Sequence, residues 1–335
     1  MGRALTPAEL LVRALRDPAT ASDLAAPEWQ AVIAVARAEL LLGTMAMRVE
    51  GLALPPAVQA ILADATRAAE QGRVAALWQA EAVRRVLAPI DCPVVLLKGT
   101  AFVAAGLEAG RGRSIGDTDI LVPRTALEAV EAALLAAGWE WVKPDPYDDA
   151  YYRRWMHELP PLIHRERDRM VDVHHTILPP TARITPDAGA LLADAVPLGN
   201  GLHVLSPADM ICHGAAHLFA DGDLSGGLRN LWDVHRLIEE FGTAGLEERA
   251  SRHGLRAHVH RAARQADDLF GTPIPEGWRV WDSLDPLYQR RLLARDGWGR
   301  GTRPATRAAF HLRSHAIRMP PAMLARHLWT KWRRG

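Results

Sequence analysis

Gly116-Asp117-Thr118-Asp119-Ile120-Leu121-Val122 is the stretch on which the reading of this chain turns. The β-branched and apolar residues predict a strand around Ile115 to Val122, stopped by Pro123. Side chains two apart on a strand point to one face, so Asp117 and Asp119 project together. Two carboxylates about 4 Å apart repel by roughly 4 kcal/mol at an effective dielectric of 20. The usual agent that offsets this is a hard divalent cation with oxygen ligands, such as Mg²⁺. An Asp-x-Asp in a surface turn is the plainer alternative, and the flanking sequence decides between the two.

Upstream, Val94-Val95-Leu96-Leu97 reads as a buried strand running into Lys98-Gly99-Thr100 and a short helix to Leu107. A glycine at a strand-to-helix turn lets backbone N–H groups approach a phosphate, with the helix N-terminus behind them. Downstream, Met170-Val171-Asp172-Val173-His174 places a third carboxylate on a predicted strand, with Asp172 and His174 on one face. Three carboxylates on adjacent strands, facing a phosphate-cradling turn, make a two-metal phosphoryl-transfer site.

Leu97-Lys98-Gly99-Thr100, Arg113-Ser114-Ile115-Gly116-Asp117-Thr118-Asp119 and Val171-Asp172-Val173-His174 together resemble the poorly characterised bacterial nucleotidyltransferase family of the DNA polymerase β-like superfamily. The resemblance is strong over roughly 91–180, and Leu228–Leu237, with Trp232 and Asp233, is similar to the family's helical C-terminal part. It implies a minimal palm of mixed strands with two helices, Mg²⁺ (Mn²⁺ as its substitute), and transfer of a nucleoside monophosphate from an NTP, ATP favoured, to a hydroxyl acceptor. On that pattern Asp117, Asp119 and Asp172 are metal ligands and catalytic residues, and Asp172 helps deprotonate the acceptor. Gly99 and Thr100 would grip the triphosphate, with Ser114 and Gly116 in the same nucleotide-binding set. Lys98 and Arg113 are candidates for phosphate contacts, against the alternative of solvated side chains. His174 either orients Asp172, binds phosphate, or is a structural hydrogen-bonded histidine.

Around this core the expected fold class is α+β. Residues 1–90 read as helices, the last from about Ala57 to Ala88; 91–180 is the nucleotidyltransferase palm core; 181–335 reads as helical with a basic tail. Within the palm, Thr125 is expected to cap a helix from Ala126 to Ala137, and Trp139–Val142 to form a strand. Pro144–Pro160 is expected to be a loop or irregular helix, followed by a hairpin turning at Glu166–Arg169. From about Thr181 the expectation is helix throughout: Ser206-Pro207-Ala208-Asp209 is a start signal, with helices at about 207–220, 226–241, 245–270 and 286–295. His213 and His217 lie i, i+4 on one helix, a spacing that can bind zinc. Gly214 stands where a metalloprotease motif needs Glu, so a helix face packed near the palm is the better reading. Asp233 and His235 on the next helix have no partner that sequence assigns.

Composition narrows the function class. Of the 335 residues, 40 are basic and 39 acidic, so whole-chain charge gives no footprint for nucleic acid, and an RNA-directed transferase is disfavoured. Lysine occurs only at 98, 143 and 331, the other basic residues being arginine. Two distant cysteines, Cys92 and Cys212, exclude a disulfide framework. Without an apolar run long enough for a membrane span or a signal-peptide pattern, the expected location is cytoplasmic. From 297 to 335 there are nine Arg or Lys and no acidic residue, with Trp329 and Trp332 among His327, Lys331, Arg333 and Arg334. That tail either contacts an anionic surface or packs on the body through Phe310, Leu312 and Leu324, the second being preferred. The acceptor and oligomeric state are not encoded in any motif. The competing class is a non-catalytic or antitoxin-like nucleotide-binding protein, against which the intact carboxylate set argues.

Overall fold

The computed structural model describes residues 4–142, 145–320, 323–325 and 329. Four helices come first: α1 (Pro7–Arg16), α2 (Ala26–Ala38), α3 (Leu42–Arg48) and α4 (Pro56–Leu87). α1 opens with a capping box, Thr6 and Glu9 each bonding the other's backbone N–H. At 32 residues α4 is about 48 Å long, and it packs on α3 and on two helices of the following α+β region.

That region runs β1 (Val95–Leu96), α5 (Lys98–Ala104), β2 (Thr118–Leu121), α6 (Leu127–Ala136), β3 (Trp139–Trp141), α7 (Pro146–Trp155), β4 (Leu162–His164) and β5 (Met170–His174). After α8 (Ala188–Ala193) come β6 (Val196–Pro197) and β7 (His203–Val204). One mixed sheet takes all seven strands in the order β3-β4-β5-β2-β1-β7-β6. β2 runs antiparallel to β1 but parallel to β5, with Asp119 beside Asp172 in register. The central strands are almost wholly buried, with Val171, Val173 and Ile120 on one face and Asp119, Asp172 and His174 on the other. The remaining helices are α9 (Pro207–Ala216), continued by a π-helical turn His217–Asp221, then α10 (Gly227–Phe241), α11 (Leu246–Arg252), α12 (Arg256–Phe270), α13 (Asp285–Leu292) and α14 (Pro304–Arg318). Helices and sheet share one continuous apolar core. No described helix is long and apolar enough to cross a membrane.

The fold is α+β, as expected, but several local readings need correction. The chain does not turn wholly helical at Thr181: β6 and β7 form a hairpin that extends the sheet at its β1 edge. Its turn, Gly199-Asn200-Gly201, uses two glycines at φ +80° and +89°, with Asn200 Oδ1 accepting from Leu202 N. Thr125 does not cap α6, which follows a 3₁₀ turn and has no side-chain cap. Pro144–Pro160 holds a regular helix, α7. The segment 245–270 is broken at Gly254, φ +67°, into α11 and α12. Ser206 caps α9 as its sequence predicts, accepting from Asp209 N.

In the C-terminal segment Phe310 is buried against Tyr288, but Leu312 is two-thirds exposed and so is not one of the packed positions. Arg313 donates to the Phe219 carbonyl and Arg318 to that of Asp221, which ties α14 to the π-helical turn. Trp329 is exposed. His327, Lys331, Trp332, Arg333 and Arg334, on which the anionic-surface reading rests, lie outside the described residues, as does Lys143.

Candidate active site

The site is built at the C-terminal end of β1 and along the paired strands β2 and β5. Leu97 N donates to the Asp119 carbonyl at 2.9 Å, which continues the β1–β2 pairing into the turn. Lys98 then enters α5 with φ +49°, a left-handed conformation that costs a non-glycine residue about 1–2 kcal/mol. Its side chain folds back so that Nζ lies 2.6 Å from Asp119 Oδ1. Lys98 is therefore the counter-ion of a buried carboxylate here, not a solvated lysine. Burial works against its charge, but Asp119 outweighs it and holds the Lys98 pKa above its usual value.

Gly99 leaves room for Arg113. A Cβ there would fall 2.2 Å from Arg113 Nη1, so the missing side chain lets the guanidinium lie against the turn. Thr100 is buried and its hydroxyl donates to the Asp117 carbonyl at 3.3 Å, fixing the backbone that presents the first carboxylate. Ser114 and Gly116 lie exposed in the loop before β2, and Arg113 Nη1 donates to the Ser114 carbonyl.

One oxygen each of Asp117, Asp119 and Asp172 fall within 4.8 Å of one another. Asp117 is exposed just ahead of β2, Asp119 is buried, and Asp172 lies between these extremes. Burial alone would raise the Asp119 pKa, but Lys98 and His174 reverse this and hold it far below the carboxylate range. For Asp172 the charge of His174 also opposes burial, but too weakly to win. Burial first, then the charges of Asp119 and Glu158, push its pKa up to about 7. Asp172 Oδ1 is buried with no hydrogen-bond partner among the described residues. A set of carboxylate oxygens with one of them orphaned in the interior fits a hard divalent cation, which takes oxygen ligands and neutralises their repulsion. The donor set therefore suits Mg²⁺ or Mn²⁺.

His174 does not contact Asp172, two residues away on β5. Its Nε2 lies 3.0 Å from Asp119 Oδ1 and 3.5 Å from Glu158 Oε2. Glu158 bridges backbone to backbone with His174 just after α7 and, with His157, forms a second close group of nitrogen and oxygen donors. Burial, opposed by His174 and Lys98, raises the Glu158 pKa. Sequence reasoning gave no role to His157 and Glu158, because they sit in a segment read as loop and no periodicity sets their register against β5.

Arg113, left between a phosphate contact and a solvated side chain, is held at the site by α10. Its Nε lies 3.1 Å from Asp233 Oδ2, and the other oxygen of Asp233 accepts from Arg229, which also donates to the Thr44 hydroxyl of α3 at 2.6 Å. Asp233 is thus brought to the turn by a partner 120 residues away in sequence. His235 is not: it bonds Thr272 at 2.9 Å and packs at tilted angles against Trp232 and Phe270. His213 and His217 face the site from α9 and the π-helical turn, lining with Lys98, Arg113 and Asp233 a largely apolar crevice beneath the turn. Burial pushes the His217 pKa down to about 3 and the His213 pKa well below the usual histidine range, with Lys98 adding to both. Both are neutral at physiological pH, which matches a packed helix face.

No curated protein matches the chain significantly. A family profile described as "Uncharacterised nucleotidyltransferase" matches residues 25–271, which include every carboxylate of the site and the α10 residues that hold Arg113. The chain belongs to that uncharacterised nucleotidyltransferase family.

Proposed function

We propose that the protein is a divalent-cation-dependent enzyme that moves a nucleoside monophosphate from an NTP, ATP favoured, to a hydroxyl of a small molecule, glycan precursor or protein. The observation that carries this is the Asp117, Asp119 and Asp172 cluster, with its orphaned Asp172 oxygen, beside a glycine turn overlaid by Arg113. Family membership implies an NTP substrate. Residues 91–180 carry the chemistry, and the flanking helical regions, 1–90 and 181–335, select the acceptor. The near-zero whole-chain charge favours an acceptor other than nucleic acid.

A divalent cation held by Asp117, Asp119 and Asp172 supplies charge neutralisation on the phosphate oxygens and makes the attacking hydroxyl more acidic. The acceptor oxygen bonds to the α-phosphorus, the bond to the bridging oxygen of the β-phosphate breaks, and pyrophosphate leaves. Asp172 helps to take the hydroxyl proton. Arg113, pinned by Asp233, donates to the triphosphate across Gly99. Thr100 and the exposed Ser114–Gly116 loop shape the backbone that the phosphates approach. His174 and Lys98 keep Asp119 ionised and oriented. The test is a screen of NTPs labelled at the α-phosphate, with Mg²⁺, against candidate hydroxyl acceptors. Label should move to an acceptor with release of pyrophosphate, and Asp119→Asn should abolish it. Absence of both turnover and Mg²⁺-dependent NTP binding would refute the reading and leave the protein a non-catalytic member of its family.

A further inference from the structure

A second cationic site lies away from the carboxylates, in a cleft between α13, the turn after it and α14. Burying a guanidinium is costly unless hydrogen bonds replace its water. Arg291 is only 7% exposed, yet among the described residues its side chain makes no hydrogen bond and its Nε is buried without a partner. Its ion pair with Asp223 Oδ1 is long, 3.9 Å, and that oxygen already accepts from Ser225 N at 2.8 Å. Arg295 beside it is satisfied by Glu39 at 2.7 Å. Arg307 reaches the same cleft from α14, resting on Gly301 and donating to its carbonyl at 3.3 Å, and His311 stands one turn further along. α14 begins beside this cleft with Pro304, which has no N–H to offer, so the donors facing the cleft are side chains.

The cleft is open to solvent and has a volume of about 390 Å³. It shares Asp223, Ser225 and His311 with a neighbouring cavity, which in turn shares His217 and Asn230 with the crevice beneath Lys98 and Arg113. The three hollows are therefore neighbours along one flank of α9, the π-helical turn and α10.

We propose that this cleft is a binding site for a phosphate-class oxyanion, carried by a phosphorylated acceptor or present as a free ion, with Arg291 and Arg307 as its donors. The assignment needs no divalent cation and does not depend on nucleotidyl transfer, so each can fail while the other stands. An oxyanion in the cleft would meet the terminal nitrogens of Arg291, which have only the long Asp223 contact among the described residues. Asp223 opposes it by charge.

Equilibrium dialysis of the full-length protein with radiolabelled orthophosphate, in EDTA, tests the assignment. Saturable binding is expected. Arg307→Gln, an exposed position, and Arg291→Met should each weaken it about tenfold or more, the usual effect of losing a charged hydrogen bond. Asp223→Asn should tighten it several-fold, and Arg113→Gln should leave it in place. Should Arg291→Met fail to fold, Arg307→Gln and Asp223→Asn decide between them. Competition by glycerol phosphate at similar concentrations identifies the phosphoryl group of an acceptor as the ligand; competition by orthophosphate and pyrophosphate alone identifies a free ion. No saturable binding up to about 10 mM, binding that Arg307→Gln does not change, or binding that Arg113→Gln abolishes would overturn the proposal.

Discussion

Replacing Asp172 by Asn should stabilise the metal-free protein while destroying its chemistry, and the effect should depend on pH. The carboxyl is raised by burial and by Asp119 and Glu158 to about 7, against a usual value near 3.9. A group with a raised folded-state pKa contributes stability that is complete below its unfolded value and lost as pH rises through the folded one. The difference of about three units corresponds to roughly 4 kcal/mol lost between about pH 4 and pH 8, as an upper figure. Asparagine keeps the shape and removes the charge, though its amide must still find partners. A gain of about 1–4 kcal/mol at pH 8, falling towards zero near pH 4, is therefore expected for Asp172→Asn in EDTA. Denaturant unfolding of both proteins across this range measures it. Added Mg²⁺ should stabilise the natural protein at pH 8 and close most of the gap, with little effect on the variant. Parallel pH profiles for the two proteins, or equal response to Mg²⁺, would refute the placement of Asp172 against Asp119.

Three further outcomes are expected. Lys98→Met leaves Asp119 buried with His174 alone, so thermal unfolding in EDTA should show a loss of about 3 kcal/mol; an unchanged melting temperature would mean that the ion pair contributes nothing. Asp233→Asn leaves Arg113 and Arg229 without a shared carboxylate, and should weaken NTP binding about tenfold in protein that circular dichroism shows to be folded. Deletion from Pro304 onward removes the buried Phe310 and the Arg313 and Arg318 anchors, and should lower stability by at least about 3 kcal/mol. Vesicle sedimentation of the intact protein should show no binding to anionic lipid; binding there without loss of stability on deletion would favour the surface-contact reading of the tail.

The site's centre was legible because its signals are local. Asp119 and Asp172 lie within apolar runs, so period-2 patterning sets their faces, whereas the strand expected from Ile115 begins only at Thr118 and leaves Asp117 exposed in the loop before it. The hairpin of β4 and β5 and the strand-to-helix turn at Gly99 were readable for the same reason. What sequence could not reach are the groups that tune those carboxylates. Lys98 reaches Asp119 only because it adopts a left-handed conformation. His174 reaches Asp119, not its neighbour Asp172, because of the way β5 lies against β2. Arg113 and Asp233 meet through tertiary packing of α10, which no spacing rule anticipates. The β6–β7 hairpin was missed although Gly199-Asn200-Gly201 announces its turn, because its strands are two residues each and carry no countable alternation.

The central claim is that Asp117, Asp119 and Asp172 hold divalent cation against the triphosphate. The most direct measurement is a crystal of the protein grown with Mn²⁺ and a non-hydrolysable ATP analogue, with data collected for manganese anomalous scattering. The account predicts anomalous peaks ligated by these three carboxylates, with the triphosphate running past Gly99 to Arg113. Manganese bound only by His157, Glu158 and His174, or nucleotide bound elsewhere with the three carboxylates bare, would contradict it.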